Sequence, residues 1–281
     1  ERRQSRALNE AARDPNARAD PIIVHPDIRR MLMESRGWNE AGRALCLWGS
    51  LLVDLMRRSP DEAERQQAED LLGLLTPVIK GYLTDKGFQA AVYGQQVLGG
   101  HGYIREHGLE QFVRDARIAQ IYEGTNGIQA MDLVGRKLPR DGGRAVRAFF
   151  ELVGRDITEA KQAGDPAGVA AALEPALADL QAATMWLAQN AMANPDNAGA
   201  GAYGYMDLMG LMTLGWMWLK MARAATDAID AGGGKEGREF YEAKLTTARF
   251  YATRELPLSS ALRRKIEAGA ETLMRIPAEA F

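Results

Sequence analysis

Apolar residues in this chain recur at intervals of three and four almost from end to end, and no run of alternating apolar and polar residues argues for a strand. That pattern predicts an essentially all-α protein, because a period near 3.6 lays apolar side chains along one stripe of a helix, whereas a strand needs a period of 2. A first long helix is expected from Pro26, whose missing N–H is harmless in a first turn, through Ile28, Leu32, Leu45, Trp48, Leu52 and Leu55. A second follows Ser59-Pro60-Asp61-Glu62, which reads as a capping box with proline at the first helical position. It carries Leu71, Leu74, Val78, Ile79 and Tyr82, with Pro77 placed to bend it, until Gly99 and Gly100 end the pattern. A third helix is expected over 109–121 through Phe112, Ile118 and Ile121, and a fourth from a Thr125 cap toward Arg136. Pro139-Arg140-Asp141-Gly142-Gly143 then breaks the chain and marks a boundary between a unit of residues 1–138 and one of residues 143–281. Beyond it the spacing predicts helices over 145–161, 166–193 after an Asp165 cap, 203–231 and 239–255, with loops at 194–201 and 232–234. Antiparallel bundling would bury these stripes.

Composition narrows the possible functions. The net charge of −2 gives no electrostatic reason to propose nucleic acid or an anionic membrane as partner. The longest apolar run, Leu208 to Leu219, is too short to span a bilayer and is flanked by Asp207 and Lys220, so a buried core helix rich in Met and Trp is expected there. Cys46, the single cysteine, lies among Leu45, Leu47 and Trp48 and reads as a small buried residue rather than a reactive thiol; with no disulfide framework, a cytoplasmic location fits. His25, His101 and His107 have no cysteine or carboxylate at ligand spacing, so no metal is expected. The chain opens Glu1-Arg2-Arg3-Gln4, without an initiator methionine or an apolar signal region, and is expected to be the interior of a longer protein.

The chemistry-bearing stretch runs from Gln95-Gln96-Val97-Leu98-Gly99-Gly100-His101-Gly102-Tyr103, through Arg114-Asp115-Ala116-Arg117-Ile118, to Ile121-Tyr122-Glu123-Gly124-Thr125-Asn126-Gly127-Ile128-Gln129. It reads as a helix, a glycine turn, a second helix, and a carboxylate in a short loop followed at once by a helix start. Tyr122 offers Glu123 an apolar neighbour that disfavours charge, the following helix N-terminus favours it, and Gly124 lets another molecule approach the backbone closely. By residue type alone Glu123 is an exposed loop carboxylate, Gly99-Gly100 a plain helix stop and Arg114-Asp115 a structural ion pair.

Taken as one ordered string, QVLGGHGYIRE followed by RDARIAQIYEGTNGIQ resembles the C-terminal signature of the acyl-CoA dehydrogenase family over residues 96–129. The resemblance implies that family's C-terminal four-helix bundle over 1–138, followed by an additional helical extension domain. It implies FAD as cofactor and oxidation of an acyl-CoA thioester to the 2,3-enoyl-CoA. Glu123 matches the catalytic carboxylate, which takes the α-proton while the β-hydride passes to flavin N5. Gly124 matches the position where the acyl-CoA passes, and Thr125 and Gly127 match the flavin-contacting stretch, although many relatives carry a polar side chain where this chain has Gly127. Gln96, Val97, Leu98, Gly99 and Gly100 match the segment that reaches the FAD of a neighbouring subunit through backbone groups. Arg2 and Gln4 resemble an Arg-x-Thr/Gln motif whose arginine contacts the adjoining subunit's FAD. The pattern then departs: the polar run Ala7 to Asp20 intervenes, and a His-Gln pair reads His25-Pro26. The long stretch beyond Pro139, with the HPDIRRML start of the first helix, resembles the larger bacterial members, including broad-specificity and 3-methylmercaptopropionyl-CoA dehydrogenases. The family's N-terminal helical domain and its β-domain have no counterpart in this chain. Also implied are an electron-transfer flavoprotein as acceptor and a homodimer or homotetramer as the assembly. Two other readings stand beside this one. An acyl-CoA oxidase shares base and cofactor but forms hydrogen peroxide, and a non-catalytic helical assembly module would be indifferent to loss of the carboxylate.

Overall fold

The computed structural model describes residues 3–8 and 15–281. Among the described residues the regular structure is helical, apart from a single bridge between Arg3 and Pro21. The eleven α-helices are α1 (Pro26–Arg58), α2 (Glu62–Leu98), α3 (Gly100–Tyr103), α4 (Leu109–Ala119), α5 (Asn126–Asp132), α6 (Arg144–Gln162), α7 (Val169–Ala193), α8 (Asp196–Asp230), α9 (Arg238–Arg254), α10 (Ser259–Glu267) and α11 (Glu271–Met274). The all-α class read from the spacing is what the fold shows.

Several boundaries differ from expectation for identifiable reasons. Ser59 closes α1 rather than opening α2: its N–H bonds Leu55 O, and the cap of α2 is Asp61, whose carboxylate accepts from Ala63 N at 2.9 Å. Pro60 therefore lies in the tight connection of an α1–α2 hairpin. The second helix runs unbroken through the buried Pro77. Residues 196–201, expected as loop, are the start of α8. Gly201 is there for contact, since a Cβ on it would sit 3.1 Å from Leu187 and 3.2 Å from Ile266. Asp165 caps as expected, accepting from Ala170 N and Ala171 N, although α7 itself begins at Val169. Cys46 is exposed, not buried, because the inward stripe of α1 runs through Trp38, Ala41, Leu45 and Leu52 and leaves Cys46 and Leu47 on the outer side.

The organising element is α8. Nearly every residue from Gly201 to Leu219 is buried, and the helix packs against α1, α2, α5, α7, α9 and α10. Its indoles are satisfied: Trp216 Nε1 donates to Asp156 at 2.7 Å and Trp218 Nε1 to Gly37 O at 3.0 Å. It crosses α2 at very close range, where glycines replace side chains. A Cβ on Gly210 would lie 2.2 Å from the Tyr82 ring, and one on Gly81 would lie 2.3 Å from Met206 sulfur. The chain turns at Arg140–Gly143, yet buried side chains before it (Leu45, Tyr82, Leu133) and after it (Phe149, Met206, Tyr251) belong to one continuous core.

Candidate functional site

The loop between α4 and α5 is a reversal of the chain with Glu123 at its apex. Glu123 has φ +51° and Gly124 φ +82°, two consecutive left-handed residues. For Gly124 that conformation is free of the Cβ penalty, and a Cβ there would also meet Gln129 Nε2 at 2.9 Å. For Glu123 it is strained, of order 1 kcal/mol, so the surroundings must hold it.

They do so from below. Asn126 is buried, and its side-chain amide faces Gly81 O at 3.0 Å, Thr84 Oγ1 at 3.0 Å and Asp85 Oδ1 at 2.7 Å, all on α2. Lys80 Nζ, one turn earlier, donates to Asn126 Oδ1 at 2.8 Å and to Gly124 O at 2.7 Å. Gln120 Nε2 donates to Asp85 Oδ1 at 2.6 Å, Asn126 N closes the loop onto Gln120 O at 3.1 Å, and Tyr203 of α8 donates to Asp85 Oδ2 at 2.5 Å. A buried polar group left without partners is costly, so each member of this knot constrains the others. Burial and the neighbouring Asp85 carboxylate push the Tyr203 hydroxyl well above the usual phenol range, keeping it a donor.

Above the knot the loop is open. Glu123 is exposed, as are Ile121, Tyr122, Thr125, Gly127 and Ile128. Thr125 takes the N-cap position of α5, but its hydroxyl makes no cap bond, contrary to expectation; the Asn126 N–H is used by Gln120 O. The apolar positions expected to bury α4 instead face outward: Phe112 is 62% exposed, Ile118 55% and Ile121 45%. Arg114 and Asp115 do not pair; Asp115 accepts from Gln111 at 2.7 Å.

The second group of candidates, Gln96 to Gly100, lies where α2 ends. Gly99 (φ +58°) donates to Gln96 O and accepts from Gly102 N, Gln96 and Gly100 are exposed, and Val97 and Leu98 are half-buried. A Cβ on Gly100 would meet nothing within 4 Å, so the main chain at that residue is open to an approaching group. Gly102 is a different matter: a Cβ there would lie 2.2 Å from Gln95 O, so the tight α2–α3 turn needs that glycine. Gln96 and the Lys80–Asp85 turn are roughly 20 Å apart along α2, so the structure brings the Glu123 loop together with the middle of that helix and not with its end. Gln4 lies near the start of α1, its N–H on Asp20 O at 3.0 Å and its carbonyl 2.6 Å from His25 Nε2; Arg2 lies outside the described residues. Among the described residues no cluster of His, Cys, Asp and Glu is arranged to hold a metal ion, and no helix is long and apolar enough to cross a membrane. A cleft of about 630 Å³ between α1 and α2, lined by Trp38, Cys46, Leu83 and Lys86 among others, has no carboxylate in its wall and so offers no base.

Lys80, Thr84, Asp85, Gln120, Asn126 and Tyr203 were not singled out from the sequence. The available signal was Lys80, Thr84 and Asp85, polar residues at helical spacing within an otherwise apolar stretch of α2.

Residues 2–138 match the family model described as acyl-CoA dehydrogenase, C-terminal domain, and residues 145–277 match that described as acetyl-CoA dehydrogenase C-terminal like. The chain is 39% identical over 275 residues to 3-methylmercaptopropionyl-CoA dehydrogenase of Ruegeria pomeroyi, covering 98% of this chain and 45% of that protein. It is 32% identical over 275 residues to broad-specificity linear acyl-CoA dehydrogenase FadE5 of Mycobacterium tuberculosis, covering 95% and 45% respectively. The chain thus spans under half the length of these relatives. A crystal structure of Caenorhabditis elegans ACDH-11 in complex with C11-CoA superposes with a TM-score of 0.71 over 92% of this chain and 41% of that one; at 19% identity this likeness speaks to the fold alone. With two family models together spanning nearly its whole length and a 39% identical relative aligned along 98% of it, the chain belongs to the acyl-CoA dehydrogenase family.

Proposed function

We propose that this chain is the catalytic helical portion of an FAD-dependent acyl-CoA dehydrogenase, with residues 1–138 as the catalytic bundle, residues 143–281 as a helical extension, and Glu123 as the base. The observation that carries the reading is the loop geometry: an exposed carboxylate at the apex of two left-handed residues, held by a buried polar knot beneath it.

When bound, FAD supplies the hydride acceptor for the β-carbon. The Glu123 carboxylate receives the α-proton, the α C–H electron pair becomes the new C=C bond, and the β C–H pair leaves as hydride. A thioester α-proton is only weakly acidic, and a positioned base is typically worth about 10²–10⁴-fold. Gly124, with no side chain, leaves room for the thioester beside the base. The exposed Thr125 and Gly127 would contact the flavin, and the end of α2 at Gln96, Val97, Leu98, Gly99 and Gly100, with its main chain open at Gly100, would meet an FAD pyrophosphate or ribose brought by a second copy, together with Gln4 and Arg2. The half-open apolar rim of Ile121, Tyr122 and Ile128 suits a face that closes only on assembly. The same reading assigns an electron-transfer flavoprotein as acceptor, a homodimer or homotetramer as assembly, and the cytoplasm as location.

Glu123→Gln in the full-length protein tests it, since glutamine keeps size and hydrogen bonding while removing basicity. The variant is expected to fold, bind FAD and bind acyl-CoA, yet to reduce its flavin at least about 10²-fold more slowly. Glu106→Gln and Glu110→Gln should leave much of the rate intact. A Glu123→Gln enzyme keeping more than about a tenth of the wild-type reduction rate would sink the assignment.

A further inference from the structure

We propose that the extension helix α8 positions the base loop, with Tyr203 as a positioning residue that acts on Glu123 through Asp85. The proposal rests on the reading of Glu123 as base. Asp85 Oδ1 accepts from Gln120 Nε2 at 2.6 Å and from Asn126 Nδ2 at 2.7 Å, and these two residues are the two ends of the loop that carries Glu123. Their main chains also meet, Asn126 N on Gln120 O at 3.1 Å. One carboxylate oxygen thus pins both feet of the loop, while Lys80 holds Gly124 O from the same helix, and the strained φ of Glu123 is kept by these anchors together.

A carboxylate held through one oxygen can still turn about its Cβ–Cγ bond. The other oxygen, Oδ2, accepts from Tyr203 Oη at 2.5 Å, a short charge-assisted bond across 118 residues of sequence that fixes the plane of the group. Tyr203 stands on α8, whose next turns (Tyr205, Met206, Leu208, Met209) are buried in the core, so the donor is mounted on a rigid element. The hydroxyl is therefore a strut between the packed extension and the loop. Because a displacement of about 1 Å at a reacting group can cost about 10²-fold in rate, a strut of this kind can act on the reaction without touching substrate.

The test uses the full-length holoenzyme. Tyr203→Phe, which removes one oxygen from a residue at the protein surface, is expected to slow flavin reduction by roughly 5- to 50-fold while FAD content and acyl-CoA dissociation constant stay within about twofold. An acyl-CoA with sulfur in place of the β-carbon has an α-proton but no β-hydride, so its uptake of solvent deuterium at the α-carbon reads the base step alone. That exchange should slow by the same factor. Amide hydrogen exchange should quicken over residues 120–126 and stay unchanged over 206–219. Asp85→Asn should reproduce both effects, and the double variant should be no slower than Asp85→Asn, since both act through one network. Should Tyr203→Phe fail to give holoenzyme, the same readouts on Asp85→Asn decide. Unchanged α-proton exchange and unchanged 120–126 amides overturn the proposal, as does a loss confined to melting temperature or FAD content. The two readings fail separately: if Glu123→Gln keeps its rate the base is elsewhere, whereas if Glu123→Gln is inert and Tyr203→Phe is wild-type, only the strut is wrong.

Discussion

Asp207 lies one turn beyond Tyr203 on α8, and burial is the main reason its carboxyl is pushed up to about 6; Asp85 adds to the rise, while Lys86 and Lys265 oppose it. In the unfolded chain the same group titrates near 3.9. Between those values the native state binds the extra proton, so the stability contributed by protonated Asp207 is present below about pH 4 and is lost as pH rises through about 6. Asp207→Asn imitates the protonated form. It is expected to stabilise the protein by about 1–3 kcal/mol at pH 8 and by only about a third as much at pH 4.5, read from denaturant midpoints at the two pH values. A variant that is destabilised at pH 8 would show that the ionised carboxylate has a compensating partner. At this scale the residue string told unevenly. The local string Tyr-Glu-Gly-Thr-Asn-Gly placed Glu123 in a loop, where it lies, but by itself marked it as no more than an exposed carboxylate; only the resemblance of the ordered string over residues 96–129 singled it out as a base. Asn126 beside it did not stand out, because its role depends on Lys80 and Asp85, more than forty positions away, and a local string cannot show what packs beneath it.

The α2–α8 crossing shows what glycine does inside a helix when the reason is contact rather than flexibility. Gly210 faces the Tyr82 ring so closely that a methyl group would lie 2.2 Å from it, and Tyr82 is 2% exposed with core on every side. Gly210→Ala must displace the ring or part the helices, and is expected to destabilise by about 1–3 kcal/mol or more. Gly73 on α2 has nothing within 4 Å of a built Cβ, so Gly73→Ala is expected to stabilise by about 0.5–1 kcal/mol through helix propensity alone. Equal effects of the two substitutions in chemical denaturation would refute the contact account. The same point explains where element boundaries were misread. Helical periodicity located α1, α2, α6, α7 and α9 to within a few residues. Gly199 and Gly201, by contrast, looked like loop and turned out to be the close-packed start of α8. The apolar side of α4 was legible as a stripe, but its exposure was not, since spacing says which residues share a face and nothing about what covers it.

At the scale of the whole molecule, two family models meet between residues 138 and 145, while the buried core runs straight across that gap. A sequence boundary and a thermodynamic boundary are different things. The turn at Arg140–Gly143 was visible because proline and paired glycines interrupt a helical pattern; the continuity of the core was not, because it depends on α8 returning to α2 and α5. If the core is one unit, chemical denaturation of the 281-residue chain should give a single transition, with fluorescence of Trp38 and Trp48 before the turn coinciding with that of Trp186, Trp216 and Trp218 after it. Truncation after Asp141 should then do more than remove an appendage. It uncovers Leu74, Tyr82, Ala130 and Leu133, which are at most 2% exposed in the intact chain, and leaves Gly81 and Tyr82 without the helix they were shaped to meet. An apolar surface of that kind in contact with water drives association. The truncated protein is expected to aggregate or to elute as heterogeneous oligomers, with Asp85 having lost its Tyr203 partner. A truncated chain that stays monodisperse, unfolds cooperatively and keeps the midpoint of the intact protein would mean that the segment before the turn folds by itself and that the shared core adds nothing to its stability.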